Sequence, residues 1–148
     1  MINKRLQGKR NKKSGGAFEL KVRHELENQG WTVCKWQNNI EFNLTGTGGL
    51  SIGKLIPAKR KYNPFTKFCS FGNGFPDFIA YRYRGLNPIN ILDEIYSYEV
   101  IGVEAKSNGY LDKEEKEKCR WLIDNHVFSM IMILSKGKKR GEIIWSQF

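Results

Sequence analysis

Tyr98-Glu99-Val100-Ile101-Gly102-Val103-Glu104-Ala105-Lys106 decides the reading of this chain. An apolar, β-branched run that ends in an acid and a lysine predicts a strand delivered to a polar edge. Upstream, Pro76-Asp77 introduces Phe78-Ile79-Ala80-Tyr81, a second strand that begins with an acid. Toward the N-terminus, Trp31 to Trp36 alternates and is rich in strand formers. Before it, Phe18, Val22, Leu26 and Gln29 recur at helical spacing from Ala17 onward, with Gly30 placed to end the helix. Toward the C-terminus, Asp112 is a helix cap, with Glu115 three residues on completing a capping box, and Asn125 marks the helix end. Val127 to Leu134 is almost wholly apolar, as in a strand covered on both faces, and Glu142 to Trp145 predicts an edge strand. The order helix, three strands, helix, strand (αβββαβ) defines an α/β protein with a central mixed sheet flanked by helices.

The chain of 148 residues is long enough for one domain with a single core. Residues 1–16, basic and poor in apolar groups, are expected to form a mobile arm. The domain is expected over 17–148, with insertions at about 37–75 and 84–97. The first is rich in glycine and asparagine, and the second contains Asn87-Pro88. Tyr62, Phe65, Phe68 and Phe71 are expected to pack beneath the first insertion as a local core; Trp121, Met130 and Met132 are read as core residues.

Lys plus Arg number 25 against 15 Asp plus Glu, a net charge of +10. Such an excess points to a polyanion partner held through phosphate contacts. The charge is clustered: Lys4, Arg5, Lys9, Arg10, Lys12 and Lys13 at the start, Lys59-Arg60-Lys61 in the middle, and Lys136, Lys138, Lys139 and Arg140 near the end. These clusters are the expected contacts to a nucleic-acid backbone. Three widely spaced cysteines, Cys34, Cys69 and Cys119, read as reduced thiols, neither a disulfide frame nor a zinc site. No apolar stretch approaches a membrane span, and the start lacks an apolar signal core. The expected setting is the cytoplasm, that of a host cell if the chain is viral.

Hydrolysis of a phosphodiester requires charge neutralisation on the phosphate and a hydroxide nucleophile. Mg²⁺ serves both ends and prefers oxygen ligands while keeping several waters. Asp77 and Glu104 at adjacent strand ends each offer one oxygen, and the Ala105 carbonyl offers a third. Lys106, two residues beyond Glu104, shares its sheet face. Its ammonium is suited to orienting water or stabilising developing negative charge. Acid-x-Lys triplets also occur at Glu19-Leu20-Lys21 and Glu114-Glu115-Lys116, but both fall in predicted helices, where residues two apart do not share a face. Only Glu104-Ala105-Lys106 ends a strand and follows a strand that begins with an acid.

Gly15-Gly16-Ala17-Phe18-Glu19, Phe75-Pro76-Asp77-Phe78-Ile79-Ala80, Val103-Glu104-Ala105-Lys106-Ser107 and Tyr110-Leu111-x-x-x-Glu115 together resemble the PD-(D/E)xK nuclease superfamily. The first and last are similar to archaeal Holliday junction resolvases. Asn38-Asn39, the glycine-rich approach to Asp77 and Gly109-Tyr110-Leu111 resemble the virus-type replication-repair (VRR-NUC) nuclease domains. The resemblance implies a restriction-endonuclease-like core, dependence on Mg²⁺ with Mn²⁺ as a substitute, and cleavage that leaves a 5′ phosphate. It assigns Asp77 and Glu104 as metal ligands, Lys106 as the catalytic lysine, and Glu19 as the helical acid that approaches the metal. Where family members often carry glutamine in the second helix, this chain has Glu115, read here as a cap. The span from Asp77 to Glu104 is longer than a tight hairpin needs.

The resulting expectation is a metal-dependent DNA endonuclease acting on branched DNA such as a Holliday junction. Two symmetric incisions imply a twofold homodimer, with the strand near Val127 and residues around Trp145 as interface elements. The alternatives are a nickase, flap or restriction-like repair nuclease, or a non-catalytic DNA-binding protein on the same fold.

Overall fold

A computed structural model of the chain describes residues 4–44, 51–64, 67–71, 74–90 and 93–148. Helix α1 (Lys4–Asn28) is followed by β1 (Thr32–Lys35), the hairpin β2 (Asn38–Leu44) and β3 (Ser51–Pro57), and the hairpin β4 (Arg60–Asn63) and β5 (Phe68–Phe71). Strands β6 (Phe78–Asn90) and β7 (Asp93–Ala105), helix α2 (Lys113–Asp124), β8 (Met130–Lys136) and β9 (Ile143–Gln147) complete the chain. The central sheet has the order β1-β6-β7-β8-β9. It is mixed, because β7 and β8 run parallel while every other neighbouring pair is antiparallel.

Each face of the sheet has its own apolar layer. On one, Phe18, Val22 and Leu26, spaced four apart on α1, pack against Val33, Phe78, Ala80, Ile101, Val103 and Leu134. On the other, Cys119 and Leu122 of α2 join Leu111, Phe128, Ile131 and Ile133, together with Ile40, Phe42 and Leu55 of the β2–β3 hairpin. Burial of this kind contributes about 25 cal/mol per Å² of apolar surface removed from water. Met130 and Met132 flank the first layer and Trp121 the second, as core residues.

Four expectations are corrected. The arm expected over residues 1–16 is helical from Lys4, where the sequence suggested a helix from Ala17. Its residues carry no apolar stripe, and the described side chains before Phe18 are exposed. Good helix formers such as Leu, Lys, Arg and Gln extend a helix already anchored by Phe18, Val22 and Leu26. The insertion expected at 84–97 does not loop out. It is the outer part of the β6–β7 hairpin, paired from Gly85↔Ser97 to Asn90↔Asp93 with two register shifts. Tyr83 lies opposite Tyr98, with ring centroids 5.7 Å apart, and Arg82 and Arg84 both reach Glu99 across the strands. These cross-strand pairs favour a ribbon over a loop. The apolar run at Val127, named as a dimer element, is spent on the core: β8 is an interior strand with Ile131, Ile133 and Leu134 buried. Tyr62, expected in a local core, is exposed. Phe65 lies outside the described residues, as do the side chains of Phe68 and Phe71. The segment expected as an insertion over 37–75 contains two hairpins among the described residues.

The approach to Asp77 is fixed by backbone contacts. Phe75 N–H donates to the Asn38 carbonyl (2.9 Å), and Trp36 N–H donates to the Asp77 carbonyl (3.1 Å). Gly74 passes so close to the β1–β2 connection that a Cβ there would lie 2.2 Å from the Trp36 carbonyl oxygen and 2.7 Å from that of Asn38. Backbone atoms cannot yield as a side chain does. Gly74→Ala is therefore expected to destabilise the protein by about 1–3 kcal/mol, read by urea denaturation. An unchanged midpoint would show that this approach is not tight.

Candidate active site

Asp77 directly precedes β6, and Glu104 is the penultimate residue of β7. Antiparallel pairing in the register Phe78↔Val103 brings them together at one end of the sheet. Both are buried, at 8% and 6% exposure. Each carboxylate is held by the other strand's backbone. Asp77 N–H donates to Glu104 Oε2 (3.1 Å), and Ala105 N–H donates to Asp77 Oδ2 (3.0 Å). One oxygen of each acid remains. Glu104 Oε1 lies 3.4 Å from Lys106 Nζ, and Asp77 Oδ1 lies 3.7 Å from Lys35 Nζ.

Two further acids hold these lysines. Lys106 Nζ donates to Glu115 Oε1. Glu115 Oε2 accepts from Asp112 N–H (3.0 Å), while Glu115 N–H donates to Asp112 Oδ1 (2.9 Å). The capping box read from the sequence is present, and its glutamate also anchors the lysine. On the other side, Lys35 Nζ donates to Glu19 of α1 and lies 4.5 Å from the centre of the Phe78 ring. Asn39, Gly74, Phe75, Glu114 and Lys118 complete the lining of a cleft of about 350 Å³. Lys118, buried, pairs with Glu114 at 2.6 Å.

The electrostatics follow from this packing. Burial pushes Glu104 up to about 8, reinforced by the charge of Asp77 and opposed by Lys106. Burial also raises Asp77, with Glu19 adding to the rise and the Ala105 N–H, Lys35 and Lys106 opposing it. For Lys106, burial acts downward, but the hydrogen bond to Glu115 and the charges of Glu104 and Glu115 carry it above its ordinary value. Beneath the site, burial and the same two glutamates push the Cys119 thiol up to about 12, which leaves it unreactive.

The residues predicted for chemistry thus converge: Glu19, Asp77, Glu104, Ala105 and Lys106 line one cleft. Lys35 was not foreseen. It lies on a four-residue strand with a single buried position, and no linear motif ties it to Asp77. Among the described residues, no group of three or more His, Cys, Asp and Glu side chains is placed to enclose a metal ion. The donor set still fits a hard divalent cation. Mg²⁺ is commonly held by one or two carboxylates, keeping waters and taking phosphate oxygens, and here two buried carboxylates each turn one oxygen to the cleft.

The predicted basic residues are dispersed. Arg10 and Lys13 are exposed on the outer half of α1, and Lys59 is exposed beside Glu41. Lys138, Lys139 and Arg140 form the β8–β9 turn. The side chains of Lys4, Arg5, Lys9, Lys12, Arg60 and Lys61 lie outside the described residues. No helix among the described residues is long and apolar enough to cross a membrane. No protein-family model, curated protein or solved structure matches this chain.

Because Glu104 is raised in the folded state from an ordinary 4.5 to about 8, its protonated form stabilises the fold. That contribution is complete below about pH 4.5 and is lost as pH rises through about 8. Without divalent cations, melting temperature is expected to fall over this window, and Glu104→Gln to flatten the fall. Mg²⁺ is expected to raise the wild-type melting temperature more at pH 8 than at pH 6 and to leave the variant's nearly unmoved. Equal slopes for the two proteins, or equal metal responses, would remove Glu104 from this role.

Proposed function

We propose that the chain is a metal-dependent DNA endonuclease of the PD-(D/E)xK type. The observation that carries this reading is the convergence of Asp77, Glu104 and Lys106 at the end of the β6–β7 pair, in a cleft of a chain with net charge +10. The helix–three strands–helix–two strands order, once the two small hairpins are set aside, supports a restriction-endonuclease-like core. Asp77 Oδ1, Glu104 Oε1 and the Ala105 carbonyl are the groups to hold Mg²⁺ (or Mn²⁺). Bound there, the cation supplies charge neutralisation on the phosphate and acidifies a water.

The chain's own residues do the rest. Lys106, held by Glu115 and Glu104, donates a hydrogen bond to the attacking water or to a non-bridging phosphate oxygen. The backbone N–H groups of Asp77 and Ala105 lock both carboxylates so that their second oxygens stay aimed into the cleft. Glu19 holds Lys35 next to Asp77, a second cation within the site. Basic residues on α1 and around the cleft hold the duplex through its phosphates without reading bases.

Branched DNA is the preferred substrate in this reading, and a Holliday junction resolvase acting as a twofold homodimer is its fullest form. With β8 interior, the edge strand β9, with Ile144 exposed and Trp145 half-buried, is the interface element in this reading. The neighbouring readings are a nickase, flap or restriction-like nuclease and a non-catalytic DNA-binding protein.

The test is cleavage of a labelled four-way junction beside matched duplex, flap and single-stranded DNA, with Mg²⁺ or EDTA. Paired symmetric nicks confined to the junction are expected, lost in EDTA and reduced about 10²–10³-fold in Lys106→Ala and Asp77→Asn. Cutting of every substrate would discard junction selectivity while keeping the nuclease. Tight binding without cutting under any ion would leave a DNA-binding protein.

A further inference from the structure

A second cleft, of about 400 Å³, opens between α1 and the β8–β9 turn. Its cations are Lys21 from α1, Lys136 at the end of β8, and Lys138, Lys139 and Arg140 of the turn. Among the described residues, none of these five forms an ion pair. One acid, Glu142, lines the cleft, and its Oε2 accepts the Lys139 N–H (3.0 Å). The turn is closed by Gly137 N–H to the Glu142 carbonyl (2.9 Å) and Glu142 N–H to the Lys139 carbonyl (3.2 Å). Lys136 lies against the Phe18 ring, 5.5 Å from its centre. Five cations gathered around one cavity repel one another, and among the described residues Glu142 is the one acid that lines it. Such an arrangement fits a bound anion.

Position identifies the anion. Strands β7 and β8 run parallel with Ala105 opposite Leu134, so their C-terminal ends lie side by side. Lys106 N–H donates to the Leu134 carbonyl (3.0 Å), and Lys136 N–H donates to the Ser107 carbonyl (3.3 Å). On α1, Glu19 lines the acidic cleft while Phe18 and Lys21 line the basic one. The two clefts therefore adjoin at one end of the sheet. Neighbouring strands are about 4.8 Å apart, and each strand of a duplex presents a phosphate about every 3.4 Å along its axis. A polyanion seated in the acidic cleft extends into the basic one.

We propose that this cleft is a second phosphate-binding site, which holds a backbone phosphate of duplex DNA a few nucleotides from the scissile one. The proposal rests on the nuclease reading for the identity of the neighbouring site. It adds a fixed grip beside the cut, on the α1–β9 side, which sets the direction in which the duplex leaves the active site.

Binding to a labelled duplex in EDTA tests the cleft without requiring cleavage. The full chain is compared with Lys138→Gln/Lys139→Gln/Arg140→Gln, with Lys21→Gln/Lys136→Gln, and with a control, Lys54→Gln/Lys67→Gln, whose positions are exposed and remote from the cleft in sequence. The slope of log affinity against log salt is expected to shallow by about one to two units in the two cleft variants and to be kept in the control. A scan of single neutral methylphosphonate linkages is expected to find one position that weakens wild-type binding and no longer weakens the cleft variants. Equal losses in the control, or no position-specific linkage, would overturn the proposal, leaving only general attraction. Saturable binding of inorganic phosphate with unchanged duplex slopes would also overturn it, in favour of a small-anion site. A cleft confirmed in EDTA with no cutting under any ion would sink the nuclease reading alone; cutting with unchanged slopes would sink the cleft alone.

Discussion

The reciprocal clamp between Asp77 and Glu104 is the contact on which the rest depends. Each acid accepts the backbone N–H at the other's strand end, so the two strands and the two side chains are fixed by the same pair of bonds. Charge-assisted bonds of this kind are among the stronger ones in proteins. They hold two carboxylates out of water, and the cost appears as raised proton affinity on both. Lys35 and Lys106 offset part of that cost, one beside each remaining oxygen. Removing a partner from such a set is more damaging than the net worth of the set suggests, because a buried charge is left behind.

The clamp also explains why the elements around it take their shapes. Asp77 must stand at a strand start, so the chain before it is pinned to the β1–β2 connection at Phe75 and threaded past Trp36 by a residue without a side chain. Glu104 must stand at a strand end, so β7 stops where Lys106 turns toward α2. The acidic centre lies in a chain whose exterior is strongly basic. Under the nuclease reading, the outer charge would attract a polyanion from a distance, and the inner carboxylates would repel it at contact unless a cation intervened.

The parts of this arrangement that were legible in the sequence are those written locally. A strand ending Val103-Glu104, a strand starting after Asp77, and Asp112 with Glu115 at helix-cap spacing each carry their meaning within a few residues. Lys35 was not legible, because its relation to Asp77 depends on β1 pairing with β6 across more than forty residues. The outer ribbon was misread because Asn87-Pro88 looks like a loop, whereas Pro88 stands at the periphery of a hairpin beyond the last partners of β1 and β8. The first half of α1 lacks an apolar face, so no helical periodicity distinguishes it from a basic arm in the sequence.

Glu115 links two roles that the sequence presents as one. Its Oε2 closes the cap of α2 while its Oε1 holds Lys106, so the start of the helix and the position of the lysine are set together. This bears on what the lysine does. A general base is most effective with a proton affinity near the working pH, and Lys106 is moved the other way, kept cationic by the two glutamates around it. Under the nuclease reading, Lys106 is therefore a fixed donor and positive charge, and does not take the proton of the attacking water. On the other side of the clamp, Lys35 is held by Glu19 against Asp77. Under the same reading a cation held by Asp77 and Glu104 would acidify the attacking water, whose proton would pass to solvent, so the clamp would be the centre of the proposed chemistry as well as of the fold.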